Sequence, residues 1–216
     1  MKKITLLVLT LFFSLCGYSQ LALEGFESTT GPDVLPGTTW TLGTGNWAVF
    51  DNGIGTGQRW GINSTVSEPP IVYQGTNSAY INRETMNIGD ISEDFLATPL
   101  VTIPVNGQLH FFTRSFASGN QGTVYQIRVA PASASQTDPA AYTVIQEWTE
   151  VDLTTTFNIY EEKVVNFPAI YHNQQLYVSF VKVHNQQVAG LAGSGDRWLV
   201  DNVSINEQCL NPTNLI

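Results

Sequence analysis

Arg197-Trp-Leu-Val-Asp-Asn-Val-Ser-Ile205 is the stretch whose reading decides the fold. It is dense in β-branched and aromatic residues and therefore reads as a strand. Strict alternation puts Leu199, Asp201, Val203 and Ile205 on one face, with Trp198, Val200, Asn202 and Ser204 on the other. Asp201 thus shares a face with three aliphatic side chains. An unpaired buried carboxylate is costly, so Asp201 calls for a cation, a donor cluster or a metal. Leu21-Ala-Leu-Glu-Gly-Phe-Glu-Ser28 poses the same question at the other end of the chain. Parity groups Glu27 with Leu21 and Leu23, unless a bulge at Gly25 puts Glu24 there instead. Two such carboxylates point to a site where the first and last strands meet.

Residues 1–20 have the form of an export signal. Lys2 and Lys3 precede an apolar run from Ile4 to Cys16, and Gly17-Tyr-Ser-Gln20 supplies a small-residue exit. The apolar run is too short to favour a membrane span. Leu15 before Cys16 does not fit a lipoprotein signal, so cleavage near Ser19 or Gln20 is expected. Two of the nine basic residues leave with the signal and none of the eighteen acids does, taking the formal charge from −9 to −11. An acidic chain without a basic cluster argues against nucleic acid and anionic membrane surfaces as partners. Cys209 is then the one remaining cysteine, a free thiol or a link to another chain.

Strand patterns recur almost everywhere else: 21–28, 46–51, 78–83, 94–103, 107–116, 123–130, 142–149, 161–167, 175–184 and 197–206. Gly, Pro, Asn, Asp and Ser clusters separate many of them, and no stretch sustains a capped helical period. The expected fold is an all-β sandwich of two antiparallel sheets with about ten strands. Leu109–Phe116 and Leu176–Val183, apolar on both faces, read as central strands. Val124–Val129 alternates, with Tyr125, Ile127 and Val129 inward and Gln126 and Arg128 outward.

The irregular segment from Gly53 to Gly75 lacks the glycine spacing of a dinucleotide fingerprint and reads as a surface loop. Within it Trp60, beside Arg59, is the candidate ligand contact: its indole could stack on a sugar ring or equally tuck back over the sandwich edge. His110, His172 and His184 share no metal-ligand spacing and read as structural or surface residues. Leu191-Ala-Gly-Ser-Gly195 departs from a nucleophile elbow at Ala192. The carboxylates Glu93-Asp94, Glu147…Glu150 and Glu161-Glu162 read as solvated strand edges. The Glu27/Asp201 pair suits calcium, which takes six to eight oxygens, with Asp51 and Asn52 as further candidate ligands. The competing reading is a salt bridge from Asp201 to Arg197 or Arg59.

Leu23-Glu-Gly-Phe-Glu-Ser28, the proline-glycine turn before Trp40, and Asn46-Trp47 resemble the opening of cleaved-adhesin, or choice-of-anchor-J, domains. Ser78-Ala-Tyr-Ile-Asn82, Leu96-Ala-Thr-Pro-Leu100, Leu109-His-Phe-Phe112, Leu176-Tyr-Val-Ser-Phe180 and Trp198-Leu-Val-Asp-Asn-Val203 continue the resemblance over residues 21–206. It implies a jelly roll over 21–207, similar to MAM domains and calcium-bearing carbohydrate-binding modules. It also implies a structural cation held by Glu27 and Asp201. The tail, 208–216, resembles the opening of a fibronectin type III domain that often follows this module. The function implied is a non-catalytic adhesion or carbohydrate-binding module, secreted or on the outer surface of a Gram-negative bacterium, whose partner is a glycan or an extracellular protein. The alternative is an accessory domain of a secreted protease or glycosidase.

Overall fold

A computed structural model describes residues 20–27, 39–63 and 71–208; residues 1–19 of the expected signal, Cys209 and nearly all of the tail lie outside them. Twelve strands are described: β1 (Thr39–Leu42), β2 (Gly45–Asp51), β3 (Gly61–Asn63), β4 (Ser78–Ile81), β5 (Ile91–Ala97), β6 (Val101–Thr102), β7 (Gly107–Ser115), β8 (Thr123–Pro131), β9 (Thr143–Thr149), β10 (Glu161–Asn166), β11 (Gln175–Asn185) and β12 (Trp198–Glu207). They form two antiparallel sheets. The larger runs β1-β2-β5-β11-β8-β9, with β6 also paired to β11; the smaller runs β10-β7-β12-β4-β3. Ten of these twelve strands match the expected patterns to within a few residues. β1 and β3, at four and three residues, are too short to show a period.

The decisive strand is not a simple alternation. Against β7, β12 shifts register between Asp201 and Ser204, three steps on one strand against two on the other. Asn202 takes the extra position at φ 49°, a left-handed conformation that asparagine tolerates. The bulge reverses the phase, so Trp198 and Val200 before it and Val203 and Ile205 after it all enter the inter-sheet core. Leu199 and Asp201 therefore face the other way, onto the outer surface of the smaller sheet. There Leu199 joins Ile71 and Val72 in a satellite cluster.

The segment 21–28 is also not the strand its pattern suggests. A single bridge, Glu24 to Val203, ties it to β12, and Phe26 adopts φ 59°. Leu21 and Phe26 are buried while Leu23 is 63% exposed. Glu24, 4% exposed, takes the buried place and Glu27 lies outside. The alternative parity holds, through the turn at Phe26.

Trp60, expected as an exposed ligand contact, is a core residue. It is 2% exposed, packs on Trp198 with ring centroids 5.4 Å apart, and donates Nε1–H to the Asp94 carbonyl at 3.1 Å. The short strand β3 begins at the next residue and draws the indole between the sheets. Arg59 stays outside. Trp60→Ala is therefore expected to cost about 3–5 kcal/mol in denaturant unfolding, as for a buried large aromatic. A loss below about 1 kcal/mol would return the indole to the surface.

Candidate functional site

The meeting of the chain ends is real, but its carboxylates are held by donors rather than by ion pairs. Asp201 Oδ2 accepts from the backbone N–H of Tyr73 and Gln74 at 3.0 and 3.1 Å, and Oδ1 from Asn202 N–H at 2.7 Å. Glu27 Oε1 accepts from the N–H groups of Thr76 and Asn77, and Oε2 from the Thr76 hydroxyl. Glu24 caps Phe26 N–H and, 20 residues on, both the amide and the hydroxyl of Thr44. The two outer carboxylates thus pin residues 73–77 over the smaller sheet. Tyr73, so held, stacks on Phe112 with centroids 3.7 Å apart.

Neither expected salt bridge to Asp201 forms. Arg197 donates to Asn82 and lies 4.0 Å from the Phe116 ring centroid; Arg59 pairs with Asp51 at 3.4 Å. Asp51 and Asn52 are also not part of this junction. They lie at the far end of β2 from Thr44, about 20 Å along the strand. There Asp51 accepts from Gly53 N–H and Asn52 from Ile54 N–H.

The junction leaves a small space beside Gly25. A methyl group on Gly25 would sit 3.1 Å from Asn202 Oδ1, 3.8 Å from Glu27 Cγ and 4.0 Å from Asp201 Oδ1. Two oxygens thus border the space, which opens into a groove of about 520 Å³ bounded by Glu24, Glu27, Gln74 and Asn202. Among the described residues no three Asp, Glu, His or Cys side chains form a metal cluster, so a cation here would depend on amide and backbone oxygens as well.

A second candidate, absent from the sequence reading, lies on the outer face of the larger sheet. Arg128 on β8 makes a two-pronged bond to Glu93 on β5, at 2.6 and 3.1 Å, reaching across β11. Its Nε–H donates to Gln126, whose amide donates to Glu147 on β9. Aromatic rings flank this polar band. Arg128 lies 5.3 Å from the Phe95 ring centroid, Phe95 stacks on Phe50 at 4.6 Å, and Tyr142 leans on both. Ala48, Ala97 and Ala130 leave room for the β8–β9 connection to fold over one end of the face. Gln136 latches that connection to the carbonyls of Asn46 and Thr98. Parity did place Gln126 and Arg128 outward; the cross-strand partners that hold them carry no periodic signal.

The carboxylates read as solvated edges divide in two. Glu93, Glu147, Glu161 and Glu162 keep contact with solvent, but Asp94 and Glu150 are 1% and 2% exposed. Glu150 accepts from Gln121 and Thr123 N–H, whereas neither oxygen of Asp94 has a hydrogen-bond partner. His184 is buried against the Gly193 carbonyl, and His110 pairs with Glu162 at the surface.

No family model matches the sequence, and no curated protein does. Solved structures do match. The K1 cleaved adhesin domain of Lys-gingipain from Porphyromonas gingivalis is 18% identical, with a TM-score of 0.56 over 87% of this chain and 98% of that one. The K3 domain of the same protein gives 18% and 0.53, over 88% and 99%. The CBM22-1 xylan-binding domain of Paenibacillus barcinonensis Xyn10C is more distant, at 13% and 0.46, over 88% and 94%. The chain shares the jelly-roll sandwich of cleaved adhesin domains.

Burial raises the Asp201 carboxyl to about 6; the N–H bonds from Gln74, Asn202 and Tyr73 oppose the rise, and the charge of Glu27 adds to it. Because the folded value lies above the unfolded 3.8, protonation favours the fold. The contribution is full below pH 3.8 and is lost as the pH rises through about 6. In chelator, unfolding free energy should fall by about 2–3 kcal/mol over that window. Asp201→Asn should flatten this part of the profile; an unchanged profile would place the titration elsewhere.

Proposed function

We propose that this chain is an exported, non-catalytic binding module that holds a glycan on the outer face of its larger sheet. The observation that carries the reading is the band Glu93–Arg128–Gln126–Glu147. It sets carboxylate, guanidinium and amide groups side by side over aromatic rings. Sugars present vicinal hydroxyls that both donate and accept, which suits such a row of polar groups. Charged partners make the stronger hydrogen bonds to such hydroxyls. A rigid sheet positions these groups with little ordering on binding. The junction carboxylates support a non-catalytic role, since Glu24, Glu27 and Asp201 all hold donors of their own chain.

Calcium belongs to this proposal as a structural ion beside Gly25, with Asp201, Asn202 and Glu27 as its holders. It would neutralise carboxylates that lack an ion-pair partner among the described residues. Export rests on the signal pattern of residues 1–20.

A glycan array probed with the purified chain tests the binding reading. Binding to a defined glycan class should be lost in Glu147→Ala, while the fold survives with a loss of at most about 1–3 kcal/mol from the freed Gln126 amide. No glycan binding, or binding indifferent to Glu147, would count against this face. For the ion, calcium at about a hundred times its dissociation constant should add roughly 2.7 kcal/mol of stability. Asp201→Asn should abolish that gain, and a melt indifferent to chelator and calcium would remove the ion from the reading.

A further inference from the structure

The interior of the sandwich turns polar at one end. On the inner face of β11 the sequence runs Leu176, Val178, Phe180 and then Lys182 and His184. Lys182 is 0% exposed, and directly opposite it on β5 is Asp94, 1% exposed. Their Nζ and Oδ2 are 3.9 Å apart. Lys182 Nζ donates to the Asn82 carbonyl at 3.0 Å. Both oxygens of Asp94, and Oε2 of the neighbouring Glu84, are buried without a hydrogen-bond partner. The other Glu84 oxygen accepts from Gly57 N–H. Trp60 closes the site, bonded to the backbone of Asp94 itself.

As an ion pair this arrangement is poor. Two buried charges need close contact and satisfied lone pairs to offset their desolvation, and Asp94 has neither. Burial drives both groups toward neutrality. It raises the Asp94 carboxyl to about 7 against the pull of Lys182, and the charges of Glu84 and Asp51 raise it further. Burial also lowers the Lys182 amine, against the opposing fields of Asp94 and Glu84. Arg59, which pairs with Asp51, is the other cation felt by Asp94. Burial thus favours the uncharged form of each partner, and Glu84 acts on both.

We propose that Lys182 and Asp94 join through a self-generated amide bond, Nζ to Cγ, with Glu84 carrying the proton. The amine lone pair attacks Asp94 Cγ. The proton leaving the nitrogen is relayed to the departing hydroxyl by way of Glu84, which borders the pair without an ion pair to Lys182. One N–H and one C–OH bond break, one C–N bond forms, and one water leaves; nothing is oxidised or reduced. The amide is uncharged, which removes the desolvation cost of the pair, and its N–H keeps the Asn82 carbonyl as acceptor. The opposed register of β5 and β11 supplies the proximity that makes such a reaction effectively unimolecular.

Intact-mass spectrometry of the full chain, purified after expression, decides the matter without any variant. The mass should fall one water short of that calculated for the N-terminus found in the same spectrum. Tryptic digestion should yield a branched peptide joining the Asp94 and Lys182 segments, with no cleavage after Lys182. Asp94→Ala, Lys182→Ala and Glu84→Ala should each restore the full calculated mass. A wild-type chain at full mass, a free Lys182 amine in the digest, or a deficit mapped to other residues would overturn the proposal.

Discussion

The extra residue in β12 is the constraint on which the rest depends. Without the bulge at Asn202, continuous alternation would direct either Trp198 and Val200 or Val203 and Ile205 away from the core. With it, one strand delivers four large apolar side chains to the same side and still turns Asp201 outward. That single carboxylate then fixes the backbone of Tyr73 and Gln74, while the residue just past the bulge, Val203, pairs with Glu24. The core, the closure of the chain ends and the cover over the smaller sheet all follow from one residue in a left-handed conformation.

Much of the fold was legible because a sandwich core imposes a period of two on every long strand. Tyr125, Ile127 and Val129 on β8, and the apolar runs of β7 and β11, could hardly be read otherwise. The failures share a cause, which is that periodicity says nothing about departures from it. Asp201 was recognised as a carboxylate needing donors, yet its face was misassigned because the bulge carries no signature beyond Asn202. Glu27 was favoured over Glu24 for the same reason, since the turn at Phe26 is a positive φ at a non-glycine residue. Pattern leaves Trp60 undecided between ligand contact and sandwich edge, because a three-residue strand shows no period around it.

The candidate sites were legible in proportion to how local they are. Glu27 and Asp201 stand out by their apolar neighbours in sequence, and the structure does bring them to one junction. Glu93, Arg128, Gln126 and Glu147 come from three strands, and only the register of β5, β11, β8 and β9 makes a band of them. Two of the four were assigned outward by parity, but outward here does not mean solvated. Arg128 and Gln126 are 7% and 8% exposed and bonded to Glu93 and Glu147, so the band is pre-ordered rather than a set of free side chains.

The polar end of the interior poses the remaining physical question. A sandwich could fill the space between β5 and β11 with a leucine and lose nothing in packing; many buried ion pairs are no more stable than apolar replacements of similar volume. Lys182 and Asp94 therefore contribute something other than packing. A specificity role alone would favour a well-bonded pair, since unsatisfied lone pairs weaken the native state without discriminating against alternatives. The observed pair is long at 3.9 Å, and three carboxylate oxygens around it are idle. Idle oxygens, a desolvated amine and a third carboxylate are disadvantages for an electrostatic contact. They are the requirements for condensation, and a covalent tie between β5 and β11 would close the two central strands of the larger sheet on each other. Under the proposed export, such a tie would help the domain stay folded. The chain around it offers few other staples, since Cys16 falls in the signal pattern and Cys209 alone follows it.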